Sequence, residues 1–309
     1  MTASAGAQLE ESRARGRVAH TQRRGQVLLL LGPCVLYLLA FSVYPLVASL
    51  VRSFQDYDSR ADTWTWIGLG NYRQLFTDPQ FWHTVEHTMI FTFAGVAIQV
   101  VLGTALALFF NQQLRGAAFV RGILILPMLL TPIVVGLMWR ALLNPDWGML
   151  NWIANELGFH DVQWLTDPQT ALRTLILVDC WQWTPFVFVI VYARLQALPQ
   201  EVFEAGSVDG ASWFQRTRYL TLPLLLPAIV FAAIFRGIDA FRTFDLVYGL
   251  TNGGPVQATS TLSFEAFQNG FEYFHYGYAS AIAYVMVIVA AIGITVLLRF
   301  VRVRQEEFA

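Results

Sequence analysis

Six long runs of apolar residues divide this chain of 309 residues, near 27–51, 88–110, 119–142, 174–196, 222–246 and 279–301. A helix needs about 20 such residues to cross the hydrocarbon core of a bilayer. In lipid, a helix satisfies its own backbone hydrogen bonds, whereas an open strand does not. The pattern therefore predicts an all-α integral membrane protein with six transmembrane helices. A large soluble core is excluded, because 56% of the residues are hydrophobic and only 13% are charged.

The distribution of arginine predicts the orientation of these spans. Arginines cluster before the first run and after the last: Arg13, Arg15, Arg17, Arg23 and Arg24, then Arg299, Arg302 and Arg304. By the positive-inside rule, both termini and the polar loop at 198–223 face the cytoplasm. We expect residues 1–25 to form a flexible cytoplasmic arm, residues 26–305 the six-helix domain, and residues 306–309 a cytoplasmic tail. The first run is too long for a signal peptide, so we interpret it as an uncleaved helix.

Several classes of function are excluded by residues that the chain lacks. It contains no lysine, and therefore neither the lysine of a phosphate-binding P-loop nor one that forms a Schiff base. If ATP drives this protein, another subunit must hydrolyse it. Cys34 and Cys180 both lie in apolar runs and give no disulfide framework. His83 and His87 are one helical turn apart but have no further ligands nearby, so we expect no metal site. No basic stripe indicates nucleic-acid binding.

The loop at 198–223 reads LPQEVFEAGSVDGASWFQRTRYLTLP and is a polar island between two apolar runs. Pro199 suits the first turn of a helix. Glu201, Glu204 and Asp209 alternate with apolar residues, which predicts a short amphipathic helix that ends near Gly210. A helix that lies on lipid headgroups usually has a basic polar face. This face is acidic, so the pattern favours a helix that binds a soluble partner.

This island resembles the EAA motif of the permeases of ABC importers. The matching positions are Glu204, Ala205, Gly206, Gly210, Leu222 and Pro223. Gly206 stands where alanine is usual, and Leu220 stands where isoleucine is usual. The resemblance implies that the helix sits in a groove of a cytoplasmic ATPase and carries the closure of that ATPase into the membrane. It assigns the coupling contacts to five residues: Glu204, Ala205, Gly206, Asp209 and Gly210.

Ionisable and polar residues inside the fourth and fifth runs indicate a second site, since such groups are costly in a membrane. The fourth run holds Asp179 and Gln182, three residues apart on one helical face; in the fifth run one face holds Arg236, Asp239 and Thr243 and another holds Arg242 and Asp245. Two polar faces flanked by aromatic rings suit a sugar, whose hydroxyls need polar partners and whose apolar face stacks on rings. Alternatively, the acids and arginines pair with each other and hold the helices together.

The segment from Asp179 to the run Thr251-Asn252-Gly253-Gly254-Pro255 is similar to the carbohydrate branch of these permeases, of which the larger maltose-importer permease is a member. The resemblance implies that a sugar lies between the fourth and fifth helices. The corresponding positions here are Asp179, Gln182, Trp183, Phe186, Arg236, Asp239, Ala240 and Thr243. Trp183 replaces a glycine and Arg236 replaces a serine of the maltose pattern, so the ligand need not be maltose.

The resemblance implies a permease subunit of a type I ABC importer for a disaccharide or oligosaccharide, in a bacterial plasma membrane. The expected partners are a second, homologous permease, two cytoplasmic ABC ATPases and an extracytoplasmic sugar-binding protein. The chain itself would need no cofactor, because ATP and magnesium bind to the ATPase. We also expect a second permease because half of a shared cavity would leave Asp179, Arg236 and Asp239 facing lipid. A phosphorylated polyol as the solute and an ion-coupled secondary transporter remain alternatives.

Overall fold

The computed structural model describes residues 30–58, 61–112, 115–159 and 162–307. The predicted arm at residues 1–25 lies outside these ranges, as do residues 308 and 309 of the predicted tail. The elements are a hairpin of two strands and twelve helices within the described ranges: β1 (Gln55–Asp58), β2 (Thr63–Trp66), α1 (Leu30–Ser53), α2 (Gly70–Thr77), α3 (Pro79–Phe110), α4 (Ala117–Leu129), α5 (Pro132–Leu142), α6 (Met149–Glu156), α7 (Pro168–Gln196), α8 (Gln200–Val208), α9 (Trp213–Phe241), α10 (Asp245–Leu250), α11 (Leu262–Phe267) and α12 (Tyr276–Glu307).

Five of these helices are long and apolar enough to cross a membrane: α1, α3, α7, α9 and the Tyr276–Val296 part of α12. The sixth candidate is the pair α4 and α5, whose axes meet at 100°. A mostly helical protein with five or six spans agrees with the sequence pattern. The third span is broken, however, where the sequence predicted one helix over 119–142. The break lies between Pro127 and Pro132, and proline removes a backbone donor and clashes with the preceding turn.

The helix bounds of other spans also differ from the predicted ones, including those of α3 and α9. Helix α3 begins at Pro79, nine residues before the predicted start, because the Asp78 carboxylate accepts a hydrogen bond from the Gln80 amide at 2.9 Å and caps the helix. Helix α9 ends at Phe241, where the sequence predicted a span to 246. The chain turns at 242–244 and starts α10 there, so the polar end of the fifth run is a bend.

The core of the protein forms where α3, α7 and α9 pack against one another. One apolar cluster includes Phe91 and Leu175, and a second includes Val187, Phe188 and Leu225. These side chains are fully or almost fully buried. The three helices therefore form a fixed frame, and polar side chains that point into it lie in a low-dielectric environment.

Helices α5 and α10 meet at two glycines. A Cβ atom on Gly136 would lie 2.8 Å from the Leu250 amide nitrogen, and one on Gly249 would lie 2.8 Å from the Ile133 carbonyl oxygen. No side chain fits at either distance, so the two backbones are in direct contact. The two short helices consequently form one packed unit, which we call the α5–α10 pair.

Helix α1 stands apart from this frame. Its most apolar stretch of 18 residues has no buried residue. It meets the rest of the chain at its carboxyl-terminal half, where α12 packs against it and the Tyr284 hydroxyl donates to the Leu46 carbonyl. The remaining apolar surface, including Leu36, Tyr37 and Phe41, is exposed and available to lipid or to another subunit.

Candidate functional site

Arg236 is the centre of a buried network of charges between α3, α7 and α9. Its side chain is 1% exposed. The guanidinium donates to both Asp179 carboxylate oxygens, at 3.0 and 3.2 Å, to Asp239 one turn further along α9, and to Gln99 Oε1 at 2.9 Å. Its central carbon also lies 4.6 Å from the centre of the Trp183 ring, within cation–π range. The arginine is therefore paired, hydrogen-bonded and stacked at the same time.

Gln99 completes this network from α3, and the sequence interpretation missed it. Its amide nitrogen donates to Asp179 Oδ2 at 2.6 Å while its carbonyl oxygen accepts from Arg236. The side chain is fully buried. A glutamine in the middle of an otherwise apolar run is the signal that could have found it, because an unpaired amide in lipid is costly.

A cavity of about 250 Å³ opens beside this network. Its wall includes six of the eight predicted sugar positions: Asp179, Trp183, Arg236, Asp239, Ala240 and Thr243. The other lining residues are Pro132, Arg242, Phe244, Asp245 and Leu246. The wall thus combines carboxylates, guanidinium groups, a hydroxyl and two aromatic rings, a set that can accept hydrogen bonds from a polyol and stack on its apolar face.

The other two predicted positions do not line this cavity. The Gln182 side chain is fully buried, and its amide nitrogen donates to the Leu130 carbonyl at 2.9 Å. The Phe186 ring stacks on Phe235, with ring centres 5.1 Å apart. Both residues lie on α7 beside cavity residues, but their side chains contact other elements.

Near the end of α9, the structure does not show the pairing of Arg242 with Asp245 that would fit the alternative of acids and arginines neutralising each other. Arg242 donates to Asp239 at 3.4 Å, and its side chain is 70% exposed. Arg242 and Asp245, both described, form no ion pair with each other. The two residues lie on the cavity wall, so the third carboxylate of the site has no guanidinium bound to it within the described part of the chain.

One expectation about this network was wrong. We expected Asp179, Arg236 and Asp239 to face lipid without a second subunit, yet Asp179 and Arg236 are 2% and 1% exposed within this chain alone. Gln99 and the α3 backbone cover them from the third side. Asp239, with 31% of its side chain exposed, is the most exposed of the three residues.

The polar island forms a second candidate surface around α8. The helix spans Gln200–Val208, close to the prediction, and Gly210 follows it with a φ of 73°. Glu201, Glu204 and Asp209 are exposed on it. Ala205 lies in the helix, but its side chain is outside what the structure describes.

Two contacts hold α8 against the start of α9. Arg216 donates to the Ser207 hydroxyl, and a Cβ atom on Gly206 would lie 3.0 Å from Leu220 Cδ1. Glycine in place of the usual alanine therefore fits the closeness of these helices. Large side chains beside α8 are exposed: Val208, Trp213, Phe214 and Tyr219. Exposed carboxylates and adjacent apolar groups form a surface that is suited to binding another protein.

Known proteins resemble the chain along almost its full length. It is 34% identical over 278 residues to the trehalose/maltose transport system permease protein of Thermococcus litoralis, which covers 90% of this chain and 94% of that protein. It is 33% identical over 273 residues to the trehalose transport system permease protein of Mycobacterium tuberculosis, covering 88% and 86%.

Solved structures support the same fold. The chain superposes with a TM-score of 0.82 on a chain of a bacterial ABC transporter involved in the import of the acidic polysaccharide alginate, at 21% identity and covering 93% of this chain and 98% of that one. The family model described as "Binding-protein-dependent transport system inner membrane component" matches residues 99–305. The chain therefore belongs to this family, the membrane-spanning permeases of ABC importers.

Proposed function

We propose that this chain is the permease subunit of an ATP-driven importer for a disaccharide or short oligosaccharide, and forms half of the translocation pathway. The observation that carries the proposal is the polar cavity beside Arg236, lined by residues of α5, α7, α9 and α10 in a permease fold. The two relatives named above are described as permeases of trehalose/maltose and trehalose transport systems, and a further relative, 30% identical, as one of a lactose transport system.

In the proposed site, the solute lies against Asp239, Trp183 and Thr243. Asp239 keeps an exposed face although it accepts from Arg236 and Arg242, and a carboxylate has capacity for about four hydrogen bonds. The Arg236 guanidinium lies over the Trp183 ring, and the sugar would stack on the part of this ring that lines the cavity. Asp179 and Arg236 hold this wall in place from behind.

The charges of the cavity argue against a phosphorylated polyol. Three carboxylates and two guanidinium groups line it, and Arg236 already has carboxylate and amide partners. A phosphate would have to compete with Asp179 and Asp239 for the same arginine. An ion-coupled transporter is not favoured either, since the family assignment and the acidic helix α8 have no place in it.

We propose that α8 is the coupling helix. Glu204, Ala205, Gly206, Asp209 and Gly210 would contact a groove of the ATPase, with Trp213 and Phe214 at its edge. Hydrolysis of ATP with magnesium would take place on two copies of that separate subunit. Closure of the ATPases would then pull on α8, and its packing on α9 would carry the movement to the cavity.

The remaining partners would be a second permease and an extracytoplasmic binding protein. The exposed surface of α1 supports the first, because a helix without packing partners in its own chain is available to a neighbouring subunit. A structural neighbour with the same fold was solved in complex with an alginate-pentasaccharide-bound periplasmic protein, which supports the second. Both termini and α8 would lie in the cytoplasm.

The test is reconstitution of the purified complex in liposomes, with radiolabelled trehalose, maltose and lactose as probes. We expect this chain to purify with a second permease and an ATPase in fixed proportion. Uptake of at least one sugar should need ATP and the binding protein and should persist with a protonophore. Active transport by this chain alone, or uptake that follows a proton gradient without ATP, would contradict the proposal.

A further inference from the structure

The break in the third span leaves a backbone carbonyl that needs a partner. Helix α4 ends in a 3-10 turn at Leu126–Leu129, and Leu130 and Thr131 are extended, with ψ values of 143° and 138°. Pro132 then begins α5 and brings no amide hydrogen. In a membrane-spanning segment, backbone groups freed by such a break must be satisfied within the protein.

Gln182 supplies that partner from α7. Its amide nitrogen donates to the Leu130 carbonyl at 2.9 Å, and its side chain is fully buried. The bond joins the rigid α7 frame to the point where the third span turns by 100°. Among the described side chains, Gln182 is the one that donates to the Leu130 carbonyl.

The position of the break matters for the solute cavity. Pro132, the first residue of α5, lines the cavity, and so do Phe244, Asp245 and Leu246 at the start of α10. Because Gly136 and Gly249 bring the backbones of the α5–α10 pair into contact, these lining residues move together. The angle at Leu130 is therefore one constraint on where this wall stands relative to α7, beside the packing of Val135 and Leu246 in one core cluster with Leu175.

We infer that Gln182 is a positioning residue, which fixes the α5–α10 wall of the solute cavity through the Leu130 carbonyl and does not itself touch the solute. The inference rests on the proposed function only in taking this cavity as the solute site. It predicts that loss of the Gln182 amide loosens the bend and weakens the binding of every transported sugar to a similar extent.

The experiment uses Gln182→Leu and, as a closer match in shape, Gln182→Met in the assembled complex. The control is Thr184→Val, which removes a buried hydroxyl two residues along α7 that has no hydrogen-bond partner within the described structure. Spin labels are placed at Phe119→Cys on α4 and Leu137→Cys on α5, which are 74% and 54% exposed. Cys34→Ser and Cys180→Ala remove the native thiols.

We expect the distance distribution between the labels to broaden or shift in both Gln182 variants and to stay unchanged in Thr184→Val. The KM of each transported sugar should rise by about 2- to 10-fold, the usual range for one lost hydrogen bond. An unchanged distribution with a raised KM would mean that Gln182 touches the solute, and would overturn the inference. Loss of assembly in both variants would assign Gln182 a role in folding instead. The distances are measured without solute, so they decide the inference even if the wild type transports none of the tested sugars.

Discussion

Replacing Arg236 with methionine removes the positive centre of the buried network and keeps an unbranched apolar side chain in its place. The Asp179 carboxylate, 2% exposed, would then keep one side-chain donor in the described structure, the Gln99 amide at 2.6 Å. Its two contacts with the guanidinium, at 3.0 and 3.2 Å, would be lost. A buried carboxylate without its counter-ion should destabilise the folded chain.

The size of the effect follows from the burial of the pair. Removing one partner of a buried ion pair costs about 3–5 kcal/mol, a shift of roughly 150- to 5,000-fold in the folding equilibrium. Arg242→Met makes the same chemical change six residues along the chain, on a side chain that is 70% exposed and meets Asp239 at 3.4 Å. An exposed pair contributes about 0–1 kcal/mol, so this variant is the matched control.

The assay is the fraction of assembled complex that survives heating in detergent, measured by size-exclusion chromatography. We expect Arg236→Met to lower the midpoint strongly and Arg242→Met to leave it close to wild type. The double variant Asp179→Asn with Arg236→Met should recover much of the loss, because the asparagine amide and Gln99 can exchange hydrogen bonds. Uptake should not recover with it, since the wall against the solute has changed.

Two results would refute this reasoning. If Arg236→Met assembled with the wild-type midpoint, Asp179 would not depend on the guanidinium, and its burial would need another explanation. If the double variant were less stable than Arg236→Met alone, the uncompensated charge on Asp179 would not be the source of the loss.

Three further changes test other parts of the protein. Asp239→Asn should reduce sugar uptake several-fold or more with near-normal assembly, because the lost charge faces the cavity; unchanged KM and rate would remove Asp239 from the site. Glu204→Lys should uncouple ATP hydrolysis from transport or release the ATPase from the membrane, and wild-type stimulated ATPase activity in an assembled complex would oppose the coupling role. Glu265→Gln should raise the thermal midpoint at neutral pH, since burial and the nearby Asp78 carboxylate raise the pKa of Glu265. The Glu265 carboxyl stabilises the folded state fully at pH values below its ordinary pKa, and this contribution is lost as the pH rises through the raised pKa of the folded chain. The higher midpoint of the glutamine variant should therefore vanish in acid.

Much of the site could be anticipated from the spacing of polar residues in the spans. Charges at three- and four-residue intervals placed Arg236 and Asp239 on one face of a helix, and the structure brings Arg236 to Asp179 on the preceding span. The sequence analysis assigned Asp179 and Gln182 the same role, as residues of the sugar site. Residues three apart in a helix point about 60° from each other, and in a packed bundle this is enough for one to reach the cavity and the other a neighbouring break.

Other features depend on long-range packing that no local pattern carries. Pro127 and Pro132 favour a kink in the third span, but the bend of 100° depends on what α5 packs against. That partner is α10, and the contact exists because Gly136 and Gly249 happen to meet across 113 residues of chain. Gln99 was overlooked for a similar reason: its partners lie 80 and 137 residues away.

The residues of the buried network lie far apart in the sequence, and this has a consequence for how the helices are inserted into the membrane. Helix α9 carries Arg236 and Asp239 one turn apart, so the two charges neutralise each other as this helix leaves the translocon. Helix α7 carries Asp179, whose partners are 80 residues earlier and 57 residues later in the chain. An isolated acid at the centre of a span costs about 2.5–3.5 kcal/mol to insert. We therefore expect α7 to stay beside α3 at the insertion site until translation delivers α9, so that the bundle assembles in a fixed order.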